Sequence, residues 1–376
     1  MSSQSTPRPR GPIRSAIIGT GGIAHAHAQA IAALGDRMRL VAVSDIDAGR
    51  AREFAAAYGV GQTFGSAGEL LDAGGVDLVH ICTPPQTHAA LAIQAMRAGV
   101  PALVEKPTAL SLAELDEIAR VEQETGVPTL TVFQHRFGPA VRHLRALVWE
   151  GVLGRPLVAT CETMWFRTDD YFAVPWRGRW EVEGGGPTMG HGIHQFDVLL
   201  AVLGPWAEVT AIAARQLRPT DTEDVSAALV RFENGAVATV VNSLVSPRES
   251  SRLRFDFEHA TVEVEHVYGY DGGDWTFTPA PGHEELTEIW AAGAASVDRS
   301  SHRDQFAAIA DALAAGEAPE VSTADARRTL EFAAATYASA FQRIPVAAGA
   351  IAGDDPFLTS MSGGRVPWPP RKEEIA

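Results

Sequence analysis

Ser15-Ala-Ile-Ile-Gly19-Thr-Gly21-Gly-Ile-Ala24-His-Ala-His-Ala-Gln-Ala-Ile-Ala-Ala-Leu34 decides the fold. An apolar run feeds a glycine turn, and the turn opens into an Ala-rich helix stopped by Gly35. Gly19, Gly21 and Ala24 fit the spacing G-x-G-x-x-A, with Gly22 and Ile23 completing the turn. The three positions provide, in order, a tight turn, close approach of backbone to a pyrophosphate, and close packing of helix on strand. The free N–H groups and positive dipole end of the helix then hold phosphates. Such glycines alone also fit an ordinary strand-turn-helix. Here a second apolar strand, Leu40-Val-Ala-Val-Ser44, follows and ends in Asp45, 21 residues past Ala24. That is where an acceptor for a ribose 2′-hydroxyl is expected. The pattern predicts a dinucleotide-binding domain.

Strands and helices alternate on short connections through the next hundred residues. Helix Ala48–Tyr58, strand Gln62–Phe64, the buried-type strand Leu78–Thr83, helix Gln86–Ala98, strand Ala102–Glu105, helix Ser111–Thr125 and strand Thr129–Gln134 follow in order. This predicts an α/β Rossmann domain, a doubly wound parallel sheet, over residues 13–135. The pattern then changes. Leu157–Trp165, Ala207–Gln216, Val225–Phe232, Ala236–Val245, Leu253–Phe257 and Thr261–Val267 read as strands without helices between most of them. Asn234-Gly235 signals a type I′ hairpin. Residues 136–345 therefore read as an α+β domain with a large open, mostly antiparallel sheet. Its helices are expected at Thr188–Leu203, Arg303–Ala315 and Thr323–Gln342. Residues 1–12 are expected to be a flexible arm and residues 346–376 an irregular, proline-containing tail.

Composition narrows the function. With a net charge of −15 and no basic cluster, neither nucleic acid nor an anionic membrane surface is an expected partner. Met1–Pro12 has no apolar segment of secretory type, and no apolar stretch is long enough to span a bilayer. The two cysteines, Cys82 and Cys161, fall in strands and suit a reduced, cytoplasmic setting. The apolar run Ala236–Val245 calls for cover on both faces, so a homodimer or homotetramer is expected.

Ligands of doubly wound sheets bind at the carboxyl ends of the strands, and four stretches reach that edge by topology. Thr83, Pro84 and Pro85 close the fourth strand with a loop along which a nicotinamide ribose can lie, and His88 in the next helical turn, with Glu105 and Lys106 at the end of the fifth strand, is expected beside the cofactor. Glu105 and Lys106 end the fifth strand; a lysine there is costly unless paired or used, and its ammonium can hydrogen-bond a substrate oxygen. Gln134 reaches the ligand from the sixth. In the fourth stretch a glycine run, Gly184–Gly186, leads into a helix carrying Gly190, His194 and Asp197 on one face. His194 suits proton transfer near neutral pH. Trp165, Arg177 and His191 join Lys106 and His194 as expected substrate contacts. No metal site is expected.

These marks together resemble the glucose–fructose oxidoreductase / inositol dehydrogenase (Gfo/Idh/MocA) family over nearly the whole chain. Gly19-x-Gly21-x-x-Ala24, Asp45, Thr83-Pro84-Pro85, Glu105-Lys106-Pro107 and the glycine loop with His194 and Asp197 carry the resemblance. It implies NAD(P)-dependent oxidation of a secondary alcohol on a sugar, cyclitol or related polyol. It also implies that the groups matching Lys106 and His194 surround the reacting carbinol. Asp45 favours NAD over NADP. The chain departs from the family where many members carry an acid four residues before the histidine and this one has Gly190. Either Lys106 carries more of the proton transfer, or another group orients His194. Two further readings share the fold: glycoside cleavage through transient oxidation by tightly held NAD, and a non-catalytic nucleotide sensor.

Overall fold

Ile13–Ile18, buried at five of its six positions, forms the strand β1 at the middle of a six-stranded sheet. Its partners are β2 (Met38–Ser44), β3 (Gln62–Phe64), β4 (Leu78–Ile81), β5 (Ala102–Val104) and β6 (Thr129–Thr131). The order is β3-β2-β1-β4-β5-β6, and every pairing is parallel. β4 is buried at all four positions, as expected of a strand covered on both faces. The structure is a computed structural model and describes residues 11–295 and 299–372. The arm at 1–10 and the last tail residues, 373–376, lie outside the described residues.

The chain divides into two compact units. The first comprises residues 1–109, 113–132 and 301–327; the second comprises 110–112, 133–300 and 328–376. The helix His302–Ala315, assigned above to the second domain, therefore packs with the first. Phe306, Ile309 and Ala310 share one apolar core with Ile17, Ile31 and Leu103. The Gln305 side-chain amide also donates to the carbonyl of Thr131 at 2.6 Å. Apolar burial decides the assignment, and sequence distance has no say in it.

In the second unit eight strands form one open sheet: β7 (Pro156–Phe166), β8 (Trp206–Ala214), β9 (Val225–Phe232), β10 (Val237–Ser243), β11 (Val245–Phe257), β12 (Ala260–His266), β13 (Trp275–Pro279) and β14 (Val346–Ala347). Their order is β13-β12-β11-β7-β10-β9-β8-β14. Only the β7–β10 pairing is parallel. β10 alternates: Ala238, Val240 and Asn242 are buried, whereas Val237 and Thr239 are exposed. The helix Ile193–Leu203 is buried almost throughout, and its Phe196 meets Phe332 edge-on at 5.1 Å.

The β9–β10 hairpin forms where expected, but its turn is of another type. Among the described residues only Val321 and Arg343 are non-glycines with positive φ, so Asn234 is not left-handed as type I′ requires. Gly235 takes φ 90° and donates to the carbonyl of Phe232 at 3.1 Å. This is a three-residue loop closed by a left-handed glycine. Asn234 instead uses its side chain, accepting from Ala236 and donating to Leu203. The tail is also more ordered than its composition implies. β14 pairs with β8, Pro356–Thr359 is helical, and the backbone N–H groups of Arg371 and Lys372 donate to Asp221. No helix among the described residues is long and apolar enough to cross a membrane.

Candidate active site

In the first unit the glycine turn is set by close approach. Gly19 has φ 87°, and a Cβ on it would fall 2.7 Å from Thr83 Cγ2, so only glycine lets the β1 and β4 ends meet. Gly21 and Gly22 face open space, where a ligand can approach the backbone. Gly21 caps the helix Gly22–Ala33 without a side-chain hydrogen bond, leaving first-turn N–H groups for an anion. Ile23 is exposed, and Ala24, on the same helix, is fully buried. Asp45 Oδ2 accepts from the Thr20 backbone and hydroxyl, and Oδ1 accepts from the Asp47 N–H. Burial raises the Asp45 pKa and these hydrogen bonds outweigh it, holding the carboxyl below its ordinary value. The sequence neighbours Ile46 and Asp47 supply no cation, but the fold brings Arg50 Nη1 to 3.9 Å from Asp45.

At the β4 end, Thr83 Oγ1 accepts from Thr87, and Pro84-Pro85 lead into a short 3₁₀ turn at Pro85–Thr87. Two residues expected in the cofactor set are engaged elsewhere. His88 is 1% exposed, with Nδ1 2.7 Å from the Pro107 carbonyl and Nε2 2.8 Å from the Thr83 carbonyl. Its side chain therefore ties two loops together. Burial lowers its pKa, and the two carbonyls oppose that shift. Glu105 is 5% exposed, and its oxygens face His27, His302 and the Lys106 backbone. Lys106, part-buried, stands directly after it, beyond the end of β5. His27, Glu105 and His302 bring potential metal-ligand atoms within 4.8 Å of one another, a grouping that no spacing in the sequence announced.

In the second unit, β6 has already ended, and Gln134 opens the 3₁₀ turn Gln134–Phe137. Its Oε1 is buried with no hydrogen-bond partner, an acceptor that a ligand can meet. The expected regular helix from Thr188 is also corrected: Thr188–Gly192 is π-helical, and the α-helix begins at Ile193. That wider turn changes the phase between Gly190 and His194 and occurs often at functional positions. A Cβ at Gly190 would meet nothing within 4 Å, so packing does not forbid an acid there.

The two histidines of this segment part company. His191 meets Trp165 edge-on at 4.9 Å and lies 6.4 Å from Tyr171. The Arg177 guanidinium lies 3.9 Å from the Tyr171 ring centroid. Trp165, His191 and Arg177 thus gather around Tyr171. His194 instead meets His135 edge-on at 5.2 Å. His135 in turn lies 5.5 Å from His266 and 5.7 Å from Tyr270. Burial pushes His266 down to about 4. Asp197 is paired with Arg136 at 2.6 Å in a buried bridge and is structural. Behind the glycine run, buried Glu223 accepts from the N–H groups of Gly186 and Thr188 and from the Tyr337 hydroxyl. A Cβ at Gly186 would lie 1.9 Å from the Glu223 carbonyl oxygen, which explains the glycine.

Residues 13–133 match the family model described as an oxidoreductase family with an NAD-binding Rossmann fold, and residues 141–263 match the Gfo/Idh/MocA C-terminal domain. The chain belongs to the Gfo/Idh/MocA family. Among relatives, D-apiose dehydrogenase of Paraburkholderia graminis is 28% identical, covering 94% of each chain. The scyllo-inositol 2-dehydrogenase (NAD(+)) of Bacillus subtilis is 31% identical over 62% of this chain and 68% of its own. The WlbA dehydrogenase from Bordetella pertussis, solved in complex with NADH and UDP-GlcNAcA, is 25% identical with a TM-score of 0.79. That likeness covers 89% of this chain and 98% of that one. Both regions that the family models match carry elements of the geometry above.

Proposed function

We propose that this Gfo/Idh/MocA protein is an NAD-dependent dehydrogenase or reductase acting on a secondary alcohol or ketone of a sugar, cyclitol or related polyol. The observation that carries the reading is Lys106. The chain holds 31 cationic side chains, and only Lys106 and Lys372 are lysines. A guanidinium does not release its proton, whereas an ammonium does when its surroundings favour it. A chain that uses arginine nearly everywhere keeps an amine at the mouth of β5.

The groups present fit NAD. Gly19, Gly21, Gly22, Ile23 and Ala24 would hold the pyrophosphate, Asp45 the adenosine ribose, and Thr83, Pro84 and Pro85 the nicotinamide ribose. When bound, the nicotinamide supplies the hydride acceptor or donor. Lys106, as the neutral amine, takes the hydroxyl proton when the carbinol is oxidised and, as the ammonium, returns it in reduction, with His194 as a second proton-handling group. Trp165, Arg177 and His191 would contact the polyol, and Gln134 the cofactor. A cytoplasmic homodimer or homotetramer fits the composition and the open sheet.

An NADH-coupled absorbance screen over inositols, aldoses and sugar derivatives tests the reading, with D-apiose and scyllo-inositol tried first. Turnover on at least one polyol, lost in Lys106→Met, is expected. If no polyol changes the absorbance in either direction, the reading fails.

A further inference from the structure

Glu105 lies at the centre of a buried polar chain contained within the first unit. Its Oε1 is 2.8 Å from His27 Nε2 and 3.5 Å from His302 Nε2. Its Oε2 accepts the backbone N–H of Lys106 at 3.1 Å. His27 Nδ1 is in turn 3.0 Å from His80 Nδ1. His27 and His80 are wholly buried. Burial pushes both rings toward the neutral form. Burial also raises the Glu105 pKa, but hydrogen bonds from His27 and His302 outweigh it, so the group is an anion.

One proton arrangement satisfies these contacts. A neutral His27 beside a carboxylate carries its proton on Nε2 and donates it to Glu105. Its Nδ1 is then an acceptor, filled by the Nδ1–H of His80. The chain of donors runs His80 to His27 to Glu105, and the second carboxylate oxygen is left for Lys106. On the other side of the same short segment, His88 lies 2.7 Å from the Pro107 carbonyl. The backbone on both sides of the lysine Cα is therefore held by buried groups. A lysine stem has four rotatable bonds, so the direction in which it leaves the backbone governs where its ammonium can reach.

We infer that Glu105 is the positioning residue for Lys106, and that His27 and His302 hold its carboxylate in place. The inference rests on Lys106 being the proton-handling group proposed above. Misplacing such a group by about 1 Å can cost about 10²-fold in rate.

Because only two lysines are present, reductive methylation with ¹³C-formaldehyde labels Lys106, Lys372 and the terminal amine. Loss of one resonance in Lys106→Met assigns it. In Glu105→Leu, the Lys106 resonance should change its shift and its pH titration while that of Lys372 stays put. kcat should fall about 10²-fold with NADH affinity kept within about threefold. Glu105→Gln keeps an acceptor oxygen and should recover part of the loss. Should Glu105→Leu not fold, His27→Phe carries the same test with a smaller expected shift. An unchanged Lys106 titration with unchanged kcat overturns the inference, as does a shift shared equally by both lysines. Stoichiometric zinc in the purified protein, lost in His27→Phe, also overturns it, since coordination would replace these hydrogen bonds. The resonance needs no substrate, so absence of turnover on every polyol counts against the functional reading alone.

Discussion

Asp45 Oδ2 accepts both the backbone N–H of Thr20, at 2.8 Å, and its hydroxyl, at 2.9 Å. The end of β2 is thereby tied to the glycine turn after β1, and a carboxylate is fixed as an anion at the edge where a ribose would lie. A 2′-phosphate placed there meets like charge, a penalty of several kcal/mol at close range. NADH should therefore bind at least about tenfold more tightly than NADPH. Since Arg50 is already close, Asp45→Ser alone should narrow or reverse that preference. Equal binding of the two cofactors by the wild-type protein, measured by fluorescence titration, would refute this.

Lys106→Met keeps length and removes the charge. NADH binding should survive, and turnover should drop by about 10²–10⁴-fold, the usual cost of losing a positioned acid or base. With Gly190 offering no carboxylate, His194→Ala should cost less. Steady-state constants for both variants decide the matter. If Lys106→Met turns over like the wild type while His194→Ala is dead, the histidine is the principal base.

The first unit was legible because its signals are local. Gly19 answers to a close approach of backbone at the ends of β1 and β4, Gly21 leaves open space for a ligand, and β4 reads as a strand because apolar residues lie on both its faces. The strand β11 was read only from Leu253, because Ser246–Ser251 is polar; within that stretch Ser250 and Ser251 pair with β7, after a register shift that follows Val245. β13 and the helix Leu286–Ala294 went unread for a similar reason: tertiary neighbours complete patterns too weak to stand alone. The histidine chain behind Lys106 could not be read at all. His27 meets His80 across 53 residues and Glu105 across 78, and only the parallel sheet brings them together.

The open face of the second sheet carries a row of exposed apolar side chains. Val158 pairs with Val237 across β7 and β10, and Val237 stands opposite Arg231 on β9. Leu229, two residues from Arg231, faces Thr210 on β8, and Ile212 follows on the same side. Ile212 and Leu229 are 71% and 64% exposed. A stripe of this kind is costly in water and suits a second copy. Light scattering at micromolar concentration should give a dimer or tetramer, and Ile212→Glu with Leu229→Glu should shift it to smaller species. A monodisperse wild-type monomer would be the contrary result.

Acid should destabilise the protein through its buried rings. Burial pushes His266 from an ordinary 6.5 down to about 4, so the folded state holds it neutral while the unfolded chain protonates it. Between those values the unfolded state binds more protons, and stability falls as pH drops from about 6.5 toward 4. Across the full window the loss from this one group is about 3 kcal/mol at most. His27, His80 and His88 are lowered by burial too and add in the same direction. Above pH 7 none of these terms should vary. Melting temperatures recorded from pH 7.5 to 4.5 should therefore fall below pH 6.5, with a shallower slope in His266→Gln. Each kcal/mol corresponds to about 2–4 °C for a unit of this size. If the variant and the wild type lose stability along the same curve, His266 is not the group that titrates.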